Sequence, residues 1–182
     1  MAEQLERKLL RLAADYQMFP PGSHVLVACS GGGDSMCLLT LLWNLRQTLG
    51  ITLSAAHFNH QLRPEAAEEA EFVHSWCVKQ GIPCIIGTEN VAAQAAQTGR
   101  GLEETARELR YAFLERTRHD LAAHRIATAH HAQDNSETLL LHLMRGSGLR
   151  GLGGISPVRG NIVRPLLTAQ RWEIQSYLTR HH

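Results

Sequence analysis

The sequence predicts an α/β protein: a parallel β-sheet with helices packed on both of its faces. Three observations carry that reading. Short apolar runs rich in β-branched residues alternate along the chain with segments whose apolar residues recur at helical spacing. A glycine-rich junction, Ser30-Gly31-Gly32-Gly33-Asp34-Ser35, follows a strand-like run directly and leads directly into a helical one. Other polar motifs also stand just after strand-like runs, and parallel sheets bind ligands beyond the C-terminal ends of their strands.

Taken in order, residues 2–16 read as an amphipathic helix with Leu5, Leu9, Leu12 and Ala13 on one face. Phe19-Pro20-Pro21-Gly22 breaks it. Val25 to Cys29 forms the first strand, and Met36, Leu38, Leu39, Leu42, Trp43 and Leu45 mark the helix beyond the glycines. Asp34 or Ser35 can cap that helix, and Gly50 stops it. Ile51 to Phe58 is a second strand. Pro64 opens a helix whose apolar stripe is Ala66, Ala70, Val73 and Cys77, Gly81 ends it, and Pro83 to Gly87 is a third strand. The small and polar stretch 90–100 reads as a mobile loop. A helix at 102–118 with Leu102, Ala106, Leu109 and Phe113 buried, a strand at 125–129 and a helix at 135–144 follow. A glycine-rich loop at 146–154, a strand at 162–164 and a helix at 171–177 complete the chain.

A length of 182 residues fits one domain, 1–182, with a core of ordinary size. The formal charge of +1 excludes a strongly basic protein. Its cations are nevertheless almost all arginine, Lys8 and Lys79 being the only lysines. Guanidinium forks suit phosphate and carboxylate, so the bias fits a nucleotide or RNA ligand without establishing one. Cys29, Cys37, Cys77 and Cys84 form no C-x-x-C pair and sit in or beside apolar runs, as buried thiols of a reducing compartment do. No apolar stretch approaches transmembrane length and the charged N-terminus lacks a secretory core. A cytoplasmic protein with no membrane partner is expected.

Strand, glycines and helix N-terminus together make an anion site, because glycine lets backbone N–H groups approach a phosphate and the helix dipole adds positive potential. A Walker A loop needs a lysine after its glycines, and a Rossmann fingerprint needs G-x-G-x-x-G; neither is present. Behind the second strand, His57-Phe58-Asn59-His60-Gln61-Leu62-Arg63 can border a nucleotide, with Arg63 available to phosphate. Its two histidines could instead be half a metal site or plain loop residues. Arg107 and Arg110, three apart, share a helix face, unless Glu103 simply pairs with Arg107 at i,i+4. Asp134 and Glu137 have the spacing of a capping box and could equally hold Mg²⁺ against phosphates. Arg145 to Gly154 is either a wrap around a ligand or a surface loop.

S-G-G-G-D-S at 30–35 resembles the loop of the PP-loop ATP pyrophosphatases, which split ATP between the α- and β-phosphates and adenylate an oxygen of their substrate. In order, the blocks at 30–35, 57–63, 101–111, 127–138, 145–154 and 164–167 resemble the tRNA(Ile)-lysidine synthase family. The resemblance implies a Rossmann-type sheet of the adenine nucleotide α hydrolase kind. It also implies a two-step ligation: ATP adenylates the 2-oxygen of the wobble cytidine in tRNA(Ile) with a CAU anticodon, and free L-lysine then displaces AMP to give lysidine. On that reading Ser30, Gly31, Gly32, Gly33, Asp34 and Ser35 hold the leaving pyrophosphate, with His57, Asn59 and Arg63 bordering the nucleotide. Asp34 with Asp134 or Glu137 places Mg²⁺, Arg107 and Arg110 touch phosphates of ATP or tRNA, and His130 borders the reacting base. The family usually shows A-H-H-A-D-D-Q-x-E-T, whereas Gln133 and Asn135 stand here in place of the first aspartate and the glutamine. Members of the family run longer, so the resemblance marks the chain as a catalytic domain without the C-terminal tRNA-binding domains. Monomer and homodimer both stay open. Three alternatives stand beside the ligase: a PP-loop tRNA thiolase, which typically needs C-x-x-C pairs, an ATP-binding module without turnover, and a PP-loop amidotransferase-type ligase acting on a small acid.

Overall fold

A computed structural model describes residues 3–62, 66–145 and 153–181. Its sheet contains β1 (His24–Ala28), β2 (Thr52–Asn59), β3 (Cys84–Thr88), β4 (Arg125–Ala127), β5 (Val158–Arg159) and β6 (Ile162–Val163) in the order β3-β2-β1-β4-β6-β5. Every pairing is parallel except that of β5 with β6. From β1 the chain builds outward through β2 to β3, then returns to the opposite side of β1 as β4. The strand order therefore reverses between β1 and β4, and a crevice opens beyond their C-terminal ends.

Side chains alternate along each strand, and both faces are buried. Val25, Val27, Leu53, Ala55 and Ala127 pack on one face with α1 (Gln4–Asp15), α2 (Gly33–Leu49), α7 (Arg171–His181) and the Val73–Cys77 stripe of α3 (Ala66–Gln80). Leu26, Ala56, Phe58 and Ile126 pack on the other with Val91 of α4 (Val91–Thr98) and Phe113 and Leu114 of α5 (Leu102–Asp120). The remaining helix, α6, spans Ala132–Met144. α2 is buried almost all round, which explains its continuous apolar sequence. On the outer side of α2, the fully buried Tyr177 of α7 accepts a hydrogen bond from Asn44 Nδ2 at 2.9 Å. Lys8 of α1 meets the buried Glu173 of α7 at 2.7 Å. No described helix is long and apolar enough to cross a membrane. Cys29, Cys37 and Cys77 are buried free thiols and Cys84 is half-buried, as the apolar settings predict.

The structure departs from the sequence reading in four places. Residues 90–100, read as a loop, form α4: Asn90 Oδ1 accepts the Ala93 N–H at 2.9 Å and Gly99 closes the helix at φ 67°. The stretch Val91-Ala92-Ala93-Gln94-Ala95 is rich in the best helix former, and Val91 and Ala95, four apart, are its buried pair. The buried stripe of α5 is Thr105, Phe113, Leu114 and Thr117, while Leu102 is 45 % exposed. Thr105 can be buried because its hydroxyl donates to the Gly101 carbonyl at 3.0 Å. α6 begins three residues earlier than expected, and β4 correspondingly stops at Ala127. The short strand β5 was not foreseen; two residues leave no periodicity to read. Arg63, Pro64 and residues 146–152 of the glycine-rich loop lie outside the described residues.

One contact fixes how closely α5 lies against the sheet. A Cβ built on Gly87 of β3 would fall less than 3.0 Å from three carbons of the Phe113 ring. Gly87→Ala is expected to lower the unfolding free energy by about 1–3 kcal/mol, the usual cost of overpacking. Urea denaturation checks this, and the double variant Gly87→Ala/Phe113→Leu recovers part of the loss if the ring is the obstacle.

Candidate functional site

A cavity of about 470 Å³ occupies the crevice at the strand-order reversal. Ala28 to Ser30 after β1, His57 to His60 at the end of β2, and Thr128 to His130 after β4 form its floor. Asp34, Ser35, Arg110, Tyr111, Glu69 and Asp134 reach in from the helices.

The glycine loop forms one wall. Gly31 has φ 87°, and a Cβ there would stand 3.3 Å from Glu69 Cβ and 3.6 Å from the Glu69 carbonyl oxygen. Left-handed backbone and close approach together require glycine. The buried Ser35 is the hub of the turn. Its hydroxyl donates to the Gly32 carbonyl at 2.8 Å, accepts the Ser30 N–H at 3.1 Å, and lies 3.1 Å from the Ser30 hydroxyl. Gly32 is the N-cap of α2; Asp34 and Ser35, the expected caps, lie inside the first turn because the helix begins at Gly33. The first helical bond runs from the Met36 N–H to the Gly32 carbonyl at 3.1 Å, leaving the N–H groups of Gly33, Asp34 and Ser35 outside the helical ladder. Gly32 and Gly33 are exposed and, with Gly31, stand beside the cavity that Ser30, Asp34 and Ser35 line, so these free donors and the helix dipole can serve an anion there.

Beside the loop, two carboxylates converge on one imidazole. His131 caps α6: its N–H donates to Asp134 Oδ2 at 2.8 Å and its Nδ1 accepts the Gln133 N–H at 3.2 Å. In the neutral ring the proton therefore sits on Nε2, which lies 3.6 Å from Asp34 Oδ2 and 3.7 Å from Asp134 Oδ2. The capping box thus joins residues 131 and 134, rather than 134 and 137, since the helix starts earlier. Glu137 is exposed one turn on and accepts from Gln133 Nε2 at 3.1 Å. Among the described residues no three His, Cys, Asp or Glu side chains converge as a metal cage. Two half-exposed carboxylates without a cage suit Mg²⁺, which binds through one or two carboxylates and completes its shell with water and phosphate oxygens.

The far wall is cationic. Arg107 lies 5.1 Å and Arg110 5.5 Å from the centre of the Tyr111 ring. Neither forms an ion pair among the described residues, so the Glu103–Arg107 pairing is not made. His130 Nδ1 is 3.0 Å from the Thr128 hydroxyl. Burial first, then the neighbouring Arg164, pushes its pKa down to about 4 against the pull of Asp134, so the ring is uncharged at neutral pH. His57 and Asn59 line the floor with their side chains tied to backbone. His57 Nδ1 bonds the Cys29 carbonyl at 3.0 Å, while Asn59 donates to the Ala66 carbonyl at 3.2 Å and accepts the Gln61 N–H at 2.8 Å. Burial also lowers the pKa of His57.

The sequence pattern of the PP-loop domain matches residues 1–182. The chain belongs to this family. The tRNA(Ile)-lysidine synthase of Caldanaerobacter subterraneus is 40 % identical over 94 % of this chain and 37 % of its own length. That of Thermotoga maritima is 42 % identical over 91 % of this chain and 40 % of its own. The chain therefore spans less than half the length of these two relatives. Among solved structures, the U34-tRNA thiolase NcsA of Methanococcus maripaludis with its 4Fe-4S cluster superposes with a TM-score of 0.80 over 97 % of this chain and 62 % of its own. At 16 % identity that likeness establishes a shared fold.

In this PP-loop chain the structure gathers Ser30, Asp34, Ser35, His57, Asn59, Arg110, His130 and Asp134 at one cavity. Arg107 stands at its rim, Glu137 outside it, and Arg63 beyond the described residues. Sequence reasoning missed His131, Glu69 and Arg164. His131 was hidden behind His130, the assigned member of an identical pair. Glu69 lies inside an ordinary charged helix segment and gave no signal. Arg164 stood in the R-P-L-L block without a role assigned to it.

Two predictions follow from this geometry. Ser35→Ala removes the side chain that bonds both the Ser30 N–H and the Gly32 carbonyl, and ATP affinity measured by calorimetry should fall about tenfold, or ~1.4 kcal/mol. His130 favours its neutral form when folded, so its contribution to stability is present above its ordinary value near 6.5 and is lost as pH falls towards about 4. Urea midpoints measured across that window should decline in the parent chain and decline less in His130→Asn.

Proposed function

We propose that this chain carries out ATP-dependent ligation of lysine to the wobble cytidine of a CAU-anticodon tRNA(Ile), as the names of its relatives suggest. The observation that supports this best is the convergence, in one crevice, of the glycine loop, the Asp34–Asp134 pair and the uncharged His130.

The loop from Ser30 to Ser35 takes the β- and γ-phosphates of ATP, its fixed N–H groups meeting the charge that builds on pyrophosphate as it leaves. Mg²⁺ held by Asp34 and Asp134 would neutralise phosphate charge and fix the geometry of in-line displacement. In the first step the cytidine 2-oxygen attacks the α-phosphorus; the bond to the bridging oxygen breaks and pyrophosphate departs. In the second the ε-amine of lysine attacks carbon 2, the carbon–oxygen bond breaks, AMP leaves, and the amine gives up a proton. His130 borders the reacting base as a neutral hydrogen-bonding group, which keeps a further positive charge away from the attacking amine. Arg110 and Arg107 bind phosphate at the opposite rim. A single-stranded anticodon base reaches such a crevice without unpairing a helix.

The test is incorporation of labelled lysine into a CAU-anticodon tRNA(Ile) transcript with ATP and Mg²⁺, set against a transcript with wobble uridine. Incorporation confined to the cytidine transcript, and reduced at least about a hundredfold (~3 kcal/mol) in Asp34→Ala, is the expected outcome. ATP binding without AMP formation or incorporation would instead identify this chain as a nucleotide-binding module.

A further inference from the structure

Arg164, immediately after β6, is 5 % exposed, yet no carboxylate pairs with it among the described residues. Its Nη1 donates to the Ser156 carbonyl at 2.6 Å, and its Nε is buried with no acceptor. The Tyr111 hydroxyl stands against the same guanidinium, and Arg159 and Arg107 are close enough to be felt as repelling charges. Tyr111 is thus ringed by three cations: Arg107 and Arg110 flank its ring, and Arg164 meets its hydroxyl.

Such a cluster is unfavourable as it stands. A buried guanidinium without an anion bears an uncompensated desolvation penalty, and like charges around it add to that. The nearest carboxylate facing His130, Asp134, is already bonded to the His131 N–H as the cap of α6. What would balance the cluster is an anion with several oxygens, matched to planar forks approaching from different directions. A phosphate group has that charge and shape.

We propose that Arg164, with Arg107 and Arg110 around Tyr111, forms a second anion site at the edge of this pocket that takes a phosphate group other than the one cradled by the glycine loop. The proposal rests on reading the pocket as an ATP- and RNA-handling site, and a phosphate there has two sources: an RNA phosphodiester beside the target base, or the nucleotide itself. Arg164 is then a binding residue of the substrate complex, and its burial keeps the fork oriented before the ligand arrives.

The experiment compares the parent chain with Arg164→Gln and Arg164→Lys, measuring binding of ATP and of a short CAU anticodon stem-loop RNA across a series of KCl concentrations. Loss of one phosphate contact should weaken RNA binding about tenfold and reduce the slope of log affinity against log salt by about 0.7–0.9 in Arg164→Gln. Arg164→Lys should keep most of the slope while losing affinity severalfold, because it retains charge without the fork. A loss confined to ATP assigns the same site to a phosphate of the nucleotide. If the parent chain binds no RNA but Arg164→Gln still weakens ATP, the tRNA reading fails and the second anion site stands. Unchanged affinity for both ligands in a variant with the parent's unfolding midpoint overturns the proposal. Should Arg164→Gln not fold, undiminished binding of both ligands by Arg164→Lys overturns it as well.

Discussion

The site depends first on what happens at the end of β1. That strand is buried on both faces, so its direction is set by the core and cannot adjust to a ligand. Within five residues the chain must leave the sheet, pass Glu69 of α3 closely enough to exclude a Cβ at Gly31, and enter α2 beside the crevice that Ser30, Asp34 and Ser35 line. The Ser35 hydroxyl, which bonds both the Ser30 N–H and the Gly32 carbonyl, closes that turn from inside. The turn therefore holds one shape without a ligand, and binding a phosphate there need not first order the loop. His57 extends the same logic to β2: its ring is held by the Cys29 carbonyl, so the floor of the pocket and the root of the loop move as one.

Around this fixed turn the charges are sorted by sign. Donors of the loop stand on one side, Asp34 and Asp134 beside them, and arginines along α5 and after β6 opposite. Two carboxylates close to an anion site would repel a triphosphate unless a cation came between, so the Asp34–Asp134 pair supports a metal-bound nucleotide over a free one. His131 Nε2 lies 3.6 Å from Asp34 Oδ2 and 3.7 Å from Asp134 Oδ2, between the two acids. His130, one residue earlier, stands in a different environment: burial first, and then the neighbouring arginines, hold it neutral. Adjacent histidines of one motif are given different partners by the elements that face them: His130 meets the arginines and Thr128, His131 the two carboxylates.

Much of the fold was legible because its signals were local. The alternation of apolar runs with helical stripes located every strand of the sheet but the two-residue β5, and Leu5, Leu9, Leu12 and Ala13 proved to be the buried face of α1. The misreadings share a cause: residue classes stood in for physics. Alanines at 92–96 look like loop composition beside polar neighbours although they are helix formers, and Thr105 looks like surface although its hydroxyl is satisfied within its own turn. The S-G-G-G-D-S loop was found because a turn, an anion site and a helix start coincide in six consecutive residues. Glu69 reaches the pocket from α3, and Arg164 stands behind its wall beside Tyr111 and His130; far apart in the chain, they are brought there only by the topology. His131 and Asp34, almost a hundred residues apart, met for the same reason.

The cationic wall is held in place by apolar packing, which links the core to the chemistry. Arg107, Arg110 and Tyr111 project from α5, and α5 is seated on the sheet by Phe113, whose ring lies 5.4 Å from that of Phe58 and directly over Gly87. Phe58 belongs to β2, one residue beyond His57, whose side chain points to the opposite face and pins the glycine loop. Two consecutive residues of one strand therefore reference both walls of the cavity to the same backbone. The separation between the anion site of the loop and the arginines of α5 is set by strand geometry and by the thickness of one packed aromatic layer. A substrate whose phosphates must bridge that separation is measured by the core, so repacking at Phe58, Gly87 or Phe113 would alter ligand geometry without touching a ligand.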